Sequence, residues 1–391
     1  MRSNAALHYL DNAATTMVDP AVANAIHTAL LNQWANPSSL YEPAVLAQMA
    51  LGSARGKVAA TLGCTAKELY FTSGGTEGNN LAILGAVAPR RSWGDTIVVS
   101  GFEHPSVQNP IRALGKAGMR VVEVNPGPDG RLAVDELVAA VDSRTALCCC
   151  MAVNNETGAR QDIARLAAGV KAKNNRTAVH VDAVQAWLRM RINLKAWPGV
   201  DSLVVSGHKV HAPKGIGALY LRAGYHWTPP ILGGGQENGV RPGTENTPYA
   251  IGLAAAAEAG ARTLSAHNAA IRALNARLRA GLASIPGVTI NSPDDAVPEV
   301  LNFSQHAVRS QTMLNFLSDR QIYVSSGSAC DKGEPSHTLA AMGCDADTID
   351  TALRVSFCAD NTAEDVDALL ESLRAGLAEL QHSTSGRRLT R

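Results

Sequence analysis

The sequence lacks the long apolar runs and the charge imbalance that mark several classes of protein. No stretch of its 391 residues approaches the roughly 18 to 20 unbroken apolar residues of a membrane-spanning helix. Residues 1–10 contain one arginine and a short, interrupted apolar run, too little for a secretory signal. The formal net charge is only +1, so no overall field attracts nucleic acid or an anionic membrane. We therefore expect no membrane contact and no direct contact with nucleic acid.

Cysteine is too scarce and too unevenly placed for a disulfide framework. The chain has seven cysteines, and Cys148, Cys149 and Cys150 are consecutive within an apolar run. An odd number in a long chain is not typical of a disulfide-stabilised secreted protein. We therefore expect a reducing, cytoplasmic compartment. The sequence also lacks internal repeats and low-complexity tracts.

The composition and the chain pattern predict a folded α/β protein. Hydrophobic residues make up 46% and charged residues 18%, and at roughly 150 residues per domain the length suggests two or three domains. From about residue 69 to 222, β-rich runs alternate with helical stretches, which predicts a mostly parallel sheet with helices on both faces. The predicted strands are 69–72, 96–100, 120–125, 145–153, 178–182, 202–206 and 217–221, and the predicted helices between them are 77–87, 106–117, 135–141 and 161–173.

The pattern changes after residue 243. A long helical region over 245–283 precedes a second α/β segment, with strands near 288–291, 300–303 and 322–325 and a closing helix near 362–381. We expect a large domain over 13–258 and a smaller one formed by 1–12 and 259–391. The polar, basic tail 382–391 is predicted to fray.

Three motifs follow predicted strands, where α/β sheets collect their ligands. Lys209 ends the segment Ser206–Lys209 and could form a Schiff base, although most lysines after strands are solvated loop residues. Asp182 ends the strand 178–182 and could keep a pyridine nitrogen protonated, or simply cap a turn. The Gly-rich turn over 72–77 joins a strand to a helix and could bind a phosphate, or be a plain tight turn.

A fourth motif places a single cysteine among small residues. Cys330 ends the run Ser325-Ser326-Gly327-Ser328-Ala329-Cys330, and Asp331 and Lys332 follow it. A lone cysteine is more often a buried apolar residue, but this polar, small-residue context favours an accessible thiol with a chemical role.

These motifs occur in an order that resembles a known family, the cysteine desulfurases of the NifS and IscS type. That family belongs to the class V aminotransferase group of fold type I pyridoxal 5′-phosphate (PLP) enzymes. The matching segments are Tyr9–Thr16, Asn36–Ser39, Phe71–Asn80, Glu103–His104, Val153–Gly158, His180–Gln185, Ser206–Lys209, Arg241–Asn246, Ser325–Cys330 and Leu353–Ser356. The resemblance implies a seven-stranded, mostly parallel sheet in the large domain, a smaller α/β C-terminal domain and PLP as cofactor.

The resemblance also implies roles around the cofactor ring. Lys209 would hold PLP covalently and move the substrate α-proton, while His104 would stack on the ring and assist proton transfer. Asp182 would pair with the ring nitrogen. Asn155 and Gln185 would lie beside the phenolic oxygen.

A second implied group binds the cofactor phosphate. It comprises Gly75, Thr76, Ser206 and His208, joined by Thr244 from the neighbouring chain of a homodimer.

The last implied roles concern the substrate, L-cysteine. Arg354 would bind its carboxylate, helped by Asn155, because a guanidinium matches a carboxylate with two hydrogen bonds. Cys330 would take the sulfur as a persulfide, leaving L-alanine, and pass it to an acceptor protein for iron–sulfur clusters, thio-cofactors or tRNA thiolation. We expect no metal site.

The sequence also departs from the family pattern. Tyr41 stands where a histidine is frequent and Ala212 where a glycine is usual. Only residues 331–333 separate Cys330 from Glu334, a short connection that predicts a thiol staying near the cofactor and an acceptor that must enter the crevice.

Other readings remain open. A selenocysteine lyase or an aminotransferase could share the fold, although an aminotransferase leaves Cys330 unexplained. A catalytically idle sulfur carrier would not need Lys209, Asp182 and Arg354.

Overall fold

The structure is a computed structural model that describes residues 7–327 and 335–387, with side chains to residue 380. In chain order the strands are β1 (His8–Tyr9), β2 (Leu69–Thr72), β3 (Thr96–Ser100), β4 (Arg120–Val124), β5 (Thr145–Cys149), β6 (Ala178–Asp182), β7 (Ser202–Ser206), β8 (Gly217–Leu221), β9 (Thr289–Ile290), β10 (Val300–Ser304), β11 (Ile322–Tyr323) and β12 (Ala352–Ser356). The helices are α1 (Pro20–Asn32), α2 (Glu42–Leu62), α3 (Gly75–Val87), α4 (Pro105–Lys116), α5 (Val134–Ala139), α6 (Ile163–Lys173), α7 (Thr247–Ala283), α8 (Ser310–Ser318), α9 (His337–Ala341), α10 (Ala346–Asp350) and α11 (Ala363–Arg387).

A seven-stranded sheet in the order β2-β8-β7-β6-β5-β3-β4 forms the centre of the larger part of the molecule. The strand β8 runs antiparallel to both of its neighbours, and the other pairs are parallel. Every residue of β3, β5, β6, β7 and β8 is buried, as expected for strands covered on both faces. The predicted α/β class with a mostly parallel sheet is confirmed.

The two largest hydrophobic clusters among the described residues belong to different parts of the chain. The first packs on one face of the seven-stranded sheet, whose other face is covered by two smaller clusters, and the second packs around the antiparallel sheet β12-β10-β9. The helix α7 belongs to both, since Leu253 lies in the first cluster and Leu278 in the second. The two clusters are compatible with a large and a small domain, and the boundary after residue 258 stays a prediction.

Several predicted element ends are wrong, two of them by four residues or more. The run over 145–153 is a regular strand only to Cys149, although Cys150 and Ala152 still donate hydrogen bonds to the His180 and Asp182 carbonyls of β6. The closing helix, predicted to end near residue 381, continues to Arg387, in a segment where no proline interrupts the backbone hydrogen bonds.

The fold brings the carboxyl ends of β3, β5, β6 and β7 to one edge of the sheet. The segments that follow them carry His104, Asn155, Asp182 and Lys209. Among the described residues, no helix has both the length and the hydropathy needed to cross a bilayer.

Candidate active site

A cavity opens at this edge of the sheet and collects most of the predicted site residues. It is lined by Ala13, Ala14, Gly75, Thr76, His104, Ser106, Met151, Asn155, Asp182, Val184, Gln185, Ser206, His208, Lys209 and Arg354. Residues from the N-terminal segment, the large sheet and the strand β12 therefore meet in one place.

Lys209 lies in a short 3-10 turn, Gly207–Lys209, directly after β7. Its Nζ donates hydrogen bonds to the carbonyl oxygens of Ala13 and Ala14, both at 2.7 Å. Because the turn fixes the backbone and the two carbonyls bind the amine, the side chain is held at the cavity wall.

Asp182 ends β6 and is oriented by a buried hydrogen-bond network. Its Oδ2 accepts from Asn79 Nδ2 at 2.8 Å, and its Oδ1 accepts from the Val184 backbone N–H at 2.9 Å. The Asn79 Oδ1 lies 3.0 Å from His180 Nε2, and His180 Nδ1 lies 2.9 Å from Ser202 Oγ. Since the Asn79 NH2 group donates to Asp182, the Asn79 oxygen must accept a hydrogen bond from the N–H of His180.

The protonation state of His180 follows from its surroundings. Burial lowers the pKa of His180 to about 3, so the ring is neutral and carries one N–H, on Nε2. The network therefore fixes the Asp182 carboxylate without placing a positive charge behind it.

His104 lies at the N-terminus of α4 and is held by hydrogen bonds to that helix. It occupies the N-cap position, and its Nδ1 accepts from the Ser106 backbone N–H at 3.1 Å and lies 2.8 Å from Ser106 Oγ. Ser106 Oγ in turn accepts from Asn79 at 2.8 Å. The position of the His104 ring and the orientation of Asp182 therefore both depend on the linked side chains of Ser106 and Asn79.

The start of α3 forms one end of the cavity. The N-cap residue Gly74 has φ 149° and no side-chain cap, so the first backbone N–H groups of a 13-residue helix point towards the space lined by Ser206 and His208. A Cβ on Gly75 would lie 3.0 Å from a methyl of Val184, which leaves no room for a side chain. This end has the donors and the helix dipole that suit a phosphate.

His208 is neutral at this end of the cavity. Burial, together with the positive charges of Lys209 and Lys214, lowers its pKa to about 4. Its Nδ1 lies 3.2 Å from Thr15 Oγ1.

Arg354 comes from β12 and is almost completely buried, with 1% of its surface exposed. Its Nη1 donates to the Asn155 carbonyl at 3.0 Å and its Nη2 to Asp11 Oδ1 at 2.8 Å. The Arg354 Nε and the Asn155 Oδ1 are buried, and neither has a hydrogen-bond partner within the described ranges 7–327 and 335–380. Buried polar atoms are rarely left unpaired, so a polar ligand is expected beside them.

Gln185 lines the cavity with an amide that is already engaged. Its Nε2 donates to the Ala13 carbonyl at 3.0 Å, and its Oε1 accepts from Arg189. Gln185 therefore also fixes the position of Ala13, whose carbonyl accepts from Lys209.

Thr244 is not among the described residues that line this cavity, and it is exposed on the segment that precedes α7. Cys330 and its short connection 331–333 lie outside the described residues, so the predicted position of the thiol stays a prediction.

Sequence reasoning missed several residues that the structure ties to the site, among them Ser106, which holds His104. Asn79 and Asp11 lie inside segments that resemble the family, but nothing local shows that they bond Asp182 and Arg354. Among the residues of the described part of the chain, no group of three or more His, Cys, Asp or Glu is arranged to hold a metal ion.

Comparisons with known proteins agree with this geometry. A family model described as Aminotransferase class-V matches residues 8–369. A cysteine desulfurase from Nostoc sp. is 39% identical over 367 residues, which are 93% of this chain and 91% of that relative. A solved structure titled NifS-like protein has a TM-score of 0.91 at 35% identity and covers 95% of this chain and 100% of its own. Another, titled SspA in complex with cysteine, has a TM-score of 0.79 at 31% identity, covering 91% and 100%.

Fold, cavity and family match together define a class-V aminotransferase, and the chain belongs to this family. Within the family it belongs with the cysteine desulfurases of the NifS and IscS type, as the resemblance predicted. These enzymes depend on PLP.

The residues present fit this cofactor. Lys209 and Asp182 line the same cavity, where Lys209 would bind the aldehyde and the Asp182 carboxylate the ring nitrogen. The uncapped helix start at Gly75 would offer donors for the phosphate. The Asn155 Oδ1 and Arg354 Nε, which find no partner in the described part of the chain, would be available to polar groups of the cofactor and substrate.

Proposed function

We propose that the protein is a PLP-dependent cysteine desulfurase that converts L-cysteine to L-alanine and keeps the sulfur as a persulfide on Cys330. The bond between the substrate Cβ and sulfur breaks, and a sulfur–sulfur bond forms at the Cys330 thiol. The thiol proton and the electron pair of the broken bond end on the alanine methyl group, so no external oxidant or reductant is needed for this step.

One observation carries the proposal: an amine, a carboxylate and a guanidinium from three separate segments meet in one cavity. Lys209 follows β7, Asp182 ends β6, and Arg354 lies on the other sheet. This set can hold an amino acid by its carboxylate and place its α-carbon beside a base.

We assign the proton chemistry to Lys209 and His104. When bound, PLP withdraws electrons from the substrate α-carbon so that its proton can leave. Asp182, held by Asn79, would keep the ring nitrogen protonated. Lys209 would receive the α-proton, and His104, fixed by Ser106, would cover the ring face and assist the transfer.

We assign the phosphate to the helix end of the cavity. Gly75, Thr76, Ser206 and the neutral His208 would bind it from one chain. Thr244 would bind it from the neighbouring chain of a homodimer, because Thr244 is exposed in its own chain.

The homodimer proposal is supported by an exposed apolar surface around α1 and α2. Single exposed apolar residues are ordinary, but a dense group marks an interaction site. Leu40 and Leu232 are 97% and 90% exposed. One groove is lined by residues from 37–55, such as Gln48, and from 235–245, including Glu245, the neighbour of Thr244, so the segment carrying Thr244 lies next to α2. The group comprises Leu30, Leu31, Trp34, Leu40, Tyr41, Val45, Leu46, Met49, Ile231 and Leu232.

We further propose that a small domain, residues 1–12 and 259–391, carries Cys330 and presents its sulfur to an acceptor protein. The acceptor would serve iron–sulfur cluster assembly, a thio-cofactor or tRNA thiolation. A cytoplasmic location is supported by six described cysteines that are all free.

The first test uses the purified holoenzyme with L-cysteine. With a thiol reductant, which releases the persulfide sulfur as sulfide, we expect equal amounts of alanine and sulfide. Without reductant, we expect a mass increase of one sulfur on the peptide with Cys330. Lys209→Ala should remove the near-visible absorbance and alanine formation, while Cys330→Ser should keep the absorbance but form no persulfide. A holoenzyme that forms alanine only from an amino donor and a 2-oxo acid would identify an aminotransferase instead.

The same assay with L-selenocysteine tests the alternative that the protein is a selenocysteine lyase. A higher kcat/KM for selenocysteine than for cysteine, retained in Cys330→Ser, would indicate a selenocysteine lyase.

A further inference from the structure

Glu156 is a fully buried carboxylate that has no role in the chemistry assigned above. It directly follows Asn155, whose carbonyl accepts from Arg354, so it lies immediately behind the cavity wall. Its backbone N–H donates to Asn154 Oδ1 at 2.9 Å, which fixes its position. Burying a carboxylate is costly unless it is hydrogen-bonded, so its contacts indicate what it does.

Those contacts lie at two places that are distant from Glu156 in sequence. Ser336 Oγ donates to Glu156 Oε2 at 2.5 Å. The same Oε2 lies 3.0 Å from the point where a Cβ of Gly327 would be, so the carboxylate packs directly against that glycine. One oxygen atom therefore contacts both residues.

Gly327 and Ser336 are consequently neighbours in space. A Cβ on Gly327 would lie 3.9 Å from Ser336 Cβ. Gly327 has φ +140°, a conformation that favours glycine, and a side chain there would also collide with Glu156. The position where the chain comes closest to Glu156 and Ser336 therefore requires glycine.

Each of the two residues is also tied to the walls of the cavity. On one side, Ser325 exchanges backbone hydrogen bonds with Arg354 and its Oγ donates to the Gly327 carbonyl at 3.1 Å. On the other side, Ser336 Oγ caps α9 by accepting from Leu339, and His337 Nε2 lies 2.8 Å from the Glu103 carbonyl.

We propose that Glu156 is a positioning residue for the sulfur-accepting step. Its carboxylate holds Gly327 and Ser336 together beside the cavity, and these residues flank the sequence that contains Cys330. Covalent geometry limits the Cα of Cys330 to roughly 10 to 11 Å from that of Gly327, because Cys330 is three positions further along the chain. Fixing Gly327 close to the Ser325–Arg354 pair therefore restricts where the thiol can meet the substrate sulfur. The inference rests on the proposed function, since it assigns the sulfur to Cys330.

The test compares Glu156→Ala and Glu156→Gln with the wild-type holoenzyme in a single turnover. Rapid quenching and mass spectrometry measure how fast sulfur appears on Cys330, and the near-visible absorbance change reports L-cysteine binding. Glu123→Ala, an exposed change on β4, is the matched control.

We expect Glu156→Ala to bind PLP and L-cysteine as the wild type does, with KM within about twofold, but to form the persulfide at least about tenfold more slowly, or about 1.4 kcal/mol in the barrier. Glu156→Gln keeps an acceptor for Ser336 and should recover most of the rate. Persulfide formation at the wild-type rate in Glu156→Ala would overturn the proposal. So would a parallel loss of L-cysteine binding, which would place Glu156 in general support of the cavity.

If Glu156→Ala does not fold, Ser336 tests the same contact from the other side. Ser336→Thr keeps the hydroxyl and should form the persulfide normally, whereas Ser336→Ala should slow it without changing the absorbance response. Equal rates in both Ser336 variants would overturn the proposal. A wild-type enzyme that makes no alanine from L-cysteine would instead refute the proposed function.

Discussion

At the scale of single residues, Asn79 determines how Asp182 is presented to the cavity. Its amide donates to both Asp182 and Ser106, and its oxygen accepts from the neutral ring of His180. Removing it leaves a buried carboxylate oxygen and a buried N–H without partners, which costs about 1–3 kcal/mol for each group. The effect should therefore appear in catalysis as well as in stability.

We predict that Asn79→Ala reduces kcat by about tenfold or more while the protein still binds PLP through Lys209. Steady-state kinetics and the cofactor absorbance measure the two effects. Asn80→Ala is the matched control, because its amide donates only to the exposed Thr76 carbonyl. If Asn79→Ala kept full turnover, the orientation of Asp182 would not depend on this network.

His208 gives a prediction about pH. Its pKa is about 4 in the cofactor-free folded protein and about 6.5 when unfolded, so the unfolded state binds more protons between these values. The stability from a neutral His208 is complete above pH 6.5 and is lost as the pH falls through 4.

The unfolding temperature of the cofactor-free protein should therefore fall from pH 6.5 to about 4, and His208→Gln should reduce that fall. Calorimetry at several pH values measures it, with His27→Gln on the exposed face of α1 as control. Some of the fall should remain in His208→Gln, because burial also lowers the pKa of His180, to about 3. An unchanged pH profile in His208→Gln would contradict this account.

At the scale of elements, close packing of α3 on β7 places the helix start that faces the cavity. A Cβ on Gly78 would lie 2.9 Å from both methyls of Val204. Overpacking of this kind typically costs about 1–3 kcal/mol.

We predict that Gly78→Ala destabilises the protein by about 1–3 kcal/mol and weakens PLP retention, and that adding Val204→Ala restores part of both. Gly56→Ala is the control within a helix, because nothing lies within 4 Å of its Cβ position on α2. That change should be neutral or stabilise the protein by about 0.4–1 kcal/mol. Denaturant unfolding measures all three variants, and equal stability of Gly78→Ala and wild type would show that the helix shifts freely.

The elements of the large sheet could be predicted closely from sequence, and their ends less well. Strands 69–72, 96–100, 178–182, 202–206 and 217–221 agree with the structure residue for residue, because a polar residue or a glycine lies at or next to most of their ends. The run over 145–153 has no such boundary, since apolar residues continue beyond the last regular pairing at Cys149. The helix α3 starts two residues earlier than predicted, because Gly75 and Thr76 give no helical pattern.

Most residues of the cavity were also predictable, through motifs at strand ends and the family resemblance. The supporting contacts were not, because they join distant segments. The Asp11–Arg354 pair links residues 343 positions apart, and the bond from Asn79 in α3 to Asp182 in β6 links residues 103 positions apart. Nothing in local sequence encodes which partner an internal polar side chain will meet.

At the scale of the whole molecule, the exposed apolar surface around α1 and α2 is the feature that a single chain leaves uncovered. We predict that Met49→Asp weakens dimer formation and, through loss of the partner's Thr244, lowers PLP affinity. Light scattering and cofactor titration measure both, and Gln311→Asp on α8 is the control. Thr244→Ala should lower PLP affinity but leave the protein a dimer by light scattering. A wild-type monomer with full PLP affinity would contradict the arrangement.

The pairing of β1 with β11 has a consequence for the synthesis of the protein. His8 and Tyr9 pair with Ile322 and Tyr323, and Leu10 packs in the cluster around β10 and β12. At roughly 5–20 residues per second, a ribosome needs on the order of 15 to 60 s between these segments. The ion pair between Asp11 and Arg354, at the wall of the cavity, likewise forms only after Arg354 has been synthesised. The nascent chain therefore cannot build a complete cofactor site before Arg354 has been translated, and PLP should enter only after that point.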